Sequence, residues 1–177
     1  VTGTYTNSER PLKDVYAIPV SDSDGFSDGD KIASSATYSS AGKKGTIISK
    51  ALGVLNVEIT KGTWANGNTV RGFNSGGTAL SPAVSTTISA DMTLHSRGKQ
   101  WDVTQQVKSA QKSKLEQYDW YYIRKSDTAA AVPSAVQTYR DGVRTKAAGL
   151  ETAIAATTTI TELQAVALGD GWPEELS

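Results

Sequence analysis

Near residue 92 the chain changes character, and no single regular architecture suits both sides of that point. Before it, Gly, Ser, Thr and Asn dominate and apolar residues come in short runs. After it, Ala, Gln, Lys, Glu and Arg take over. The first composition belongs to strands joined by tight turns, the second to helices. The expected fold is therefore α+β: a small antiparallel β lobe, barrel- or sandwich-like, over residues 1–92, then a helical lobe of about three helices over residues 93–177. A chain of 177 residues has room for one domain or two small ones. Large aromatic anchors are few, with four Trp, seven Tyr and two Phe, so each core must rest on Val, Ile, Leu and Ala. That suits two small lobes, or subunits that assemble.

Strands are expected at residues 15–20, 45–49, 54–59, 69–73 and 86–94. Asn56 and Glu58 alternate with apolar neighbours, which marks a half-buried strand. Pro19 cannot donate to a ladder, so it marks an edge or an ending. Turn signals separate the runs: Asp24-Gly25, Asp28-Gly29, Asn66-Gly67 and Gly76-Gly77. A weak repeat joins two of these stretches at an offset of 38 residues. Phe26, Gly29, Asp30 and Ile32 match Trp64, Gly67, Asn68 and Val70. It reads as two hairpin-like units, each too small to bury its own face, packed together.

In the second half, residues 102–118 place Val103, Val107, Ala110, Leu115 and Tyr118 near helical spacing. Residues 118–123 are aromatic enough to run extended. Pro133 suits a first helical position, and Val136, Tyr139, Val143, Ala147, Leu150 and Ile154 then recur at three or four residues. Thr161 is the expected N-cap of a last short helix over 162–168, with Gly169 as its stop.

Chemistry is sparse. With no Cys and one His, thiolate sites, disulfides and His clusters are excluded. Equal numbers of basic and acidic residues, 18 each, argue against a non-specific hold on nucleic acid. No apolar run reaches the length of a membrane-spanning helix. No signal peptide is visible from Val1 onward; Val1 is either a processed start or the edge of a longer product. The acidic stretch 22–30 has oxygen ligands for Ca²⁺ but lacks EF-hand spacing, and reads first as ordinary turns. His95 beside Ser96 has no nucleophile elbow or marked partners, and no P-loop is present. Lys108, Lys112 and Lys114, and Arg140, Arg144 and Lys146, read as solvated faces balanced by nearby acids. No enzymatic activity, cofactor or metal is expected.

Two segments carry a resemblance. Residues 45–79 contain Gly62-Thr63-Trp64, then Gly67, Val70 and Gly72, then a small-residue turn through Gly76 to Ala79. This resembles small β modules in structural proteins of tailed bacteriophages. In the second half, Leu115, Asp119-Trp120, Tyr139-Arg140, Arg144 and Trp172-Pro173 resemble a skeleton seen in tail-assembly-chaperone-like and fibre-associated phage proteins. The long Ala/Thr-rich stretch between Arg144 and Trp172 and the acidic tail depart from that skeleton, so the match favours a phage protein over a chaperone.

The resemblance implies a non-enzymatic virion structural protein, made in the host cytoplasm. It would sit in the tail, baseplate or fibre attachment, with neck or capsid decoration the next choice. Its partners would be other virion proteins and further copies of itself, not nucleic acid or a membrane. Trp120, Tyr139, Arg140, Arg144, Trp172 and Pro173 are the expected interface residues. The alternatives are a transient tail or fibre assembly chaperone, and a receptor- or carbohydrate-binding module with Trp64 and Tyr38 as stacking platforms.

Overall fold

The computed structural model describes residues 10–176; Val1 lies outside them. The fold is α+β, with seven strands and four helices among the described residues. The chain divides into two compact units, Val1–Lys99 and Gln100–Ser177. The division falls seven residues beyond the change in composition because one more strand joins the first unit.

The strands are β1 (Val15–Pro19), β2 (Lys31–Ala33), β3 (Lys44–Ala51), β4 (Val54–Lys61), β5 (Thr69–Phe73), β6 (Ser85–Thr87) and β7 (Thr93–Ser96). They form one antiparallel sheet in the order β6-β5-β2-β3-β4-β1-β7. The sheet curls into a half-barrel. Its β6 end reaches back to β1, where Val20 bridges Ile88 and the Ser21 and Ser89 amides donate to the carbonyls of Thr87 and Pro19. Pro19 therefore marks an ending and not an edge, since β1 has neighbours on both sides. Ile18, Phe26, Ile32, Ile47, Leu55, Val57, Trp64, Val70 and Ile88 fill the interior. At roughly 1.5–3 kcal/mol per large apolar side chain, this cluster dominates the stability of the unit.

The 38-residue repeat is a structural one. In each copy an aromatic residue, Phe26 or Trp64, is buried. Three residues later comes a glycine with positive φ, Gly29 at 88° and Gly67 at 81°. The next side chain closes the turn: Asp30 Oδ2 accepts from the Ser27 amide at 2.8 Å, and Asn68 Oδ1 from the Ala65 amide at 3.1 Å. The flanking ladder also matches. The Gly29 amide donates to Ile47 and the Ile47 amide to Asp30; the Gly67 amide donates to Ile88 and the Ile88 amide to Asn68. The equivalent strands pair with each other antiparallel, β2 with β5 and β1 with β4. Antiparallel pairing of equivalent strands is what an approximate twofold axis produces. Each copy offers one buried aromatic and too few strands to enclose it, so the two complete a common core.

Two expectations in this unit change. The run 86–94 is two strands, because the chain leaves β5 after Thr87 and crosses to pair with β1 at the other end of the sheet. The three-residue strand β2 is additional.

The helices are α1 (Lys99–Glu116), α2 (Asp119–Thr128), α3 (Ser134–Ala156) and α4 (Ile160–Gln164). Val136, Tyr139, Val143, Ala147, Leu150 and Ile154 form the buried stripe of α3, as their spacing requires. The aromatic run after Tyr118 is helical, not extended. Asp119 opens α2, Lys125 stands in its last turn, and Ala129 closes it in the left-handed conformation at φ 58°. Pro133 is the N-cap of α3 and not its first residue. The last helix starts two residues before the expected site: Thr159 is its N-cap, and Glu162 completes a reciprocal capping box.

Candidate functional site

The helical unit rests on α1 and α3 pinned together at both ends. Gln100, at the start of α1, donates through Nε2 to Ile154 O at 2.8 Å and to Thr157 O at 3.1 Å beyond the end of α3. At the other end Arg140 of α3 donates to Leu115 O of α1 at 2.8 Å. The two intervals are 15 and 14 residues, about 22 Å of helix each, so the helices run antiparallel in step.

Arg140 is the hub of this end. The residue is 8% exposed, and its guanidinium also holds Asp119 at 2.5 Å and lies 4.7 Å from the Tyr122 ring. It thus joins the last turn of α1 to the first turn of α2. Tyr139 packs edge-on to Tyr118 with ring centroids 4.8 Å apart. Burial, with Tyr118 and Glu175 nearby, holds the Tyr139 phenol above its ordinary pKa. At the tip of α4, the amide and hydroxyl of Thr158 donate to Glu162 and hold its carboxyl below its ordinary range.

α2 has a different environment. None of its ten residues is buried. Trp120 is 48% exposed, Ile123 62% and Tyr122 39%. Trp120 stacks on Tyr121 with centroids 3.7 Å apart. A helix this short is marginal by itself, and Arg140 supplies its main tether.

A second surface lies on the first turns of α3. Residues of the chain's tail return alongside them and leave a groove of about 520 Å³. Trp172 anchors the tail through an Nε1 bond to Leu168 O at 2.8 Å, with Lys114 Nζ 6.0 Å from its ring. The Leu176 amide donates to the Tyr118 hydroxyl at 2.9 Å, and Lys114 pairs with Glu175.

The expected interface residues therefore separate. Trp120 is exposed and stands on an unpartnered face. Arg144 is on the surface, paired with Asp141 at 3.0 Å. Trp172 and Pro173 are half-buried and hold the tail. Tyr139 and Arg140 are corrected: both are buried and work inside the unit, because Arg140 must satisfy Leu115 and Asp119. Trp64 is corrected as a stacking platform, since at 2% exposure its faces are in the β core. Tyr38 is half-buried against Phe73, with Lys31 and Lys44 over its ring. Tyr122, Ile123 and Leu176 were missed by sequence reasoning; an i to i+3 pairing of Trp120 with Ile123 was the available signal for the α2 face.

The acidic stretch forms turns. Asp22 Oδ1 accepts from the Asp24 amide, and Asp30 from the Ser27 amide. No group of three or more His or acidic residues gathers as a metal site among the described residues. His95 lies exposed on β7. No helix among the described residues is long and apolar enough to cross a membrane. No protein-family model, curated protein or solved structure matches the chain.

Proposed function

We propose that this chain is a structural component of a tailed-phage particle, present in many copies and acting through protein–protein contacts. The reading starts from the Gly-Thr-Trp module at residues 62–79 and the Asp-Trp, Tyr-Arg and Trp-Pro pairs of the second half. The observation that carries it is the α2 face. Trp120 and Ile123 are exposed on one side of a helix that buries nothing of its own, while the Tyr122 ring packs against Arg140. A rigid aromatic cluster on a solvated helix is the chemistry of an interface centre. Zero formal net charge leaves no long-range repulsion between copies.

A transient assembly chaperone would use the same face, and particle composition separates the two. Quantitative mass spectrometry of gradient-purified particles should find the peptide 62–71, which follows Lys61 and ends at Arg71. It should stand at a fixed ratio to the portal or tail-tube protein. Detection in the infected-cell lysate but not in particles overturns the structural role in favour of the chaperone. The burial of Trp64 disfavours a carbohydrate platform there.

A further inference from the structure

We infer that the tail of one copy docks on the helical unit of the next, so that the Trp172-Pro173 hook links neighbouring copies. The setting rests on the multi-copy particle proposed above. The seat is the one that the chain's own tail occupies, across the last turn of α1 and the first turns of α3.

The seat is built for this segment. Pro173 lies directly on the α3 backbone at Gly142, where an added Cβ would stand 2.9 Å from Pro173 Cγ. Glycine inside a helix costs about 1 kcal/mol relative to Ala, and here it admits the proline ring. Gly149 on the same helix meets nothing, so contact with the tail is what sets Gly142 apart. The acidic end of the tail meets a basic and polar rim on α1. Glu175 pairs with Lys114 at 3.6 Å, Gln117 Nε2 donates to Glu175 at 3.5 Å, and the Tyr118 hydroxyl accepts from the Leu176 amide at 2.9 Å.

The hook is separable from the seat. The Trp172 indole donates to Leu168 O, four residues back, so this turn travels with the tail. The bonds from the tail to α1 lie at the surface, and an exposed ion pair such as Lys114 with Glu175 contributes about 0.2–1 kcal/mol. The short connection from α4 therefore supplies much of the docking, as an effective concentration in the millimolar range. Copies about 100 Å apart in an assembly stand at about 2 mM in the same measure. At matched concentrations a seat takes a neighbour's hook about as readily as its own, with identical contacts and no new surface.

The chain has no Cys, so one introduced thiol is a unique site for a nitroxide spin label. Glu174 is exposed and adjoins Pro173. Spin-labelled Glu174→Cys donor is mixed at about 1 mM with isotope-labelled wild-type acceptor, and resonance broadening is read on the acceptor alone. The Gly142 and Tyr118 amides should broaden more than they do with the label on Leu52→Cys, at a position 95% exposed. Pro173→Ala makes the test reciprocal. In the acceptor it weakens the competing tail and should raise the broadening about 3–5-fold; in the donor it should lower it by a like factor. Broadening no greater than from Leu52→Cys, or unmoved by Pro173→Ala in either partner, overturns the proposal and leaves the tail a fixed strap of its own chain. The seat itself is checked by Gly142→Cys with Pro173→Cys in one chain. The Cβ built at residue 142 stands 3.7 Å from Pro173 Cβ, within the span of a disulfide, so an intrachain bond should close. Failure to close it removes the seat and overturns the proposal. Neither readout uses particles, so tail exchange and particle membership fail separately.

Discussion

Replacing Arg140 with methionine isolates the hub of the helical unit. Methionine keeps most of the apolar stem but removes the charge and every donor. The bond to Leu115 O is charge-assisted and largely buried, a class that contributes about 1.5–3 kcal/mol. The pair with Asp119 is half exposed on the acid's side, so screening limits it to about 0.2–1 kcal/mol. The Tyr122 contact adds about 0.5–1 kcal/mol. Against these stands the desolvation of a guanidinium whose Nε is buried without a partner, a cost of about 1–3 kcal/mol that methionine escapes. The net loss is about 2 kcal/mol.

For a unit the size of Gln100–Ser177, that is a fall of roughly 8–16 °C in melting temperature. Circular dichroism at the helical band follows it directly. Arg140→Lys should fall between wild type and methionine, since one ammonium can reach one acceptor but cannot span both. A methionine variant that melts within about 3 °C of wild type would refute the hub. It would mean that packing along α3, not the Leu115 and Asp119 bonds, sets the stability of this end.

Three further outcomes follow from the geometry. Trp64→Ala should destabilise the β unit by about 3–5 kcal/mol, read by denaturant titration, whereas Trp120→Ala should change stability by less than about 0.5 kcal/mol while reducing incorporation into particles. Gly29→Ala and Gly67→Ala should cost similar amounts, about 1–2 kcal/mol each, because an added Cβ meets nothing at either site and only the positive φ is strained; clearly unequal losses would contradict the equivalence of the repeats. Glu162 has a lowered pKa when folded, so its contribution is present above the unfolded pKa and is lost as pH falls through the folded one. Melts across the acid range should therefore show Glu162→Gln to be less pH-dependent than wild type below the ordinary carboxylate pKa of 4.5.

Where local pattern decides structure, the sequence was informative. β5 begins and ends at the expected residues, 69 and 73, and the buried stripe of α3 is the one its spacing defines. The capping box at Thr159 and Glu162 was present as letters, yet Thr161 has the same chemistry and stands nearer the apolar residues. β2 is too short to show a period, although its counterpart in the repeat, β5, implied it through the match of Ile32 to Val70. The division of 86–94 into two strands follows from a change of partner, which no local pattern records. α2 is the instructive case: Trp120 to Ile123 favour strands by propensity, and the helix is held by Arg140, 21 residues from the Asp119 it grips. The groove was beyond reach for the same reason, because it needs Pro173–Leu176 to return to the first turn of α3.

The β unit leaves little room for association by strand addition. An open edge is a template for a further strand, and here both edges are short. β6 has three residues, and the chain from Pro19 to Ser21 already bonds to its far side. β7 has four, beside the ion pair of Asp14 with Arg97 at 2.7 Å. The approximate twofold explains this economy. Pairing β2 with β5 and β1 with β4 uses up the long edges of both copies inside one chain, the edges that two separate hairpin units would present to neighbours. The apolar surface suited to a partner is then concentrated in the helical unit, on α2 and along the first turns of α3.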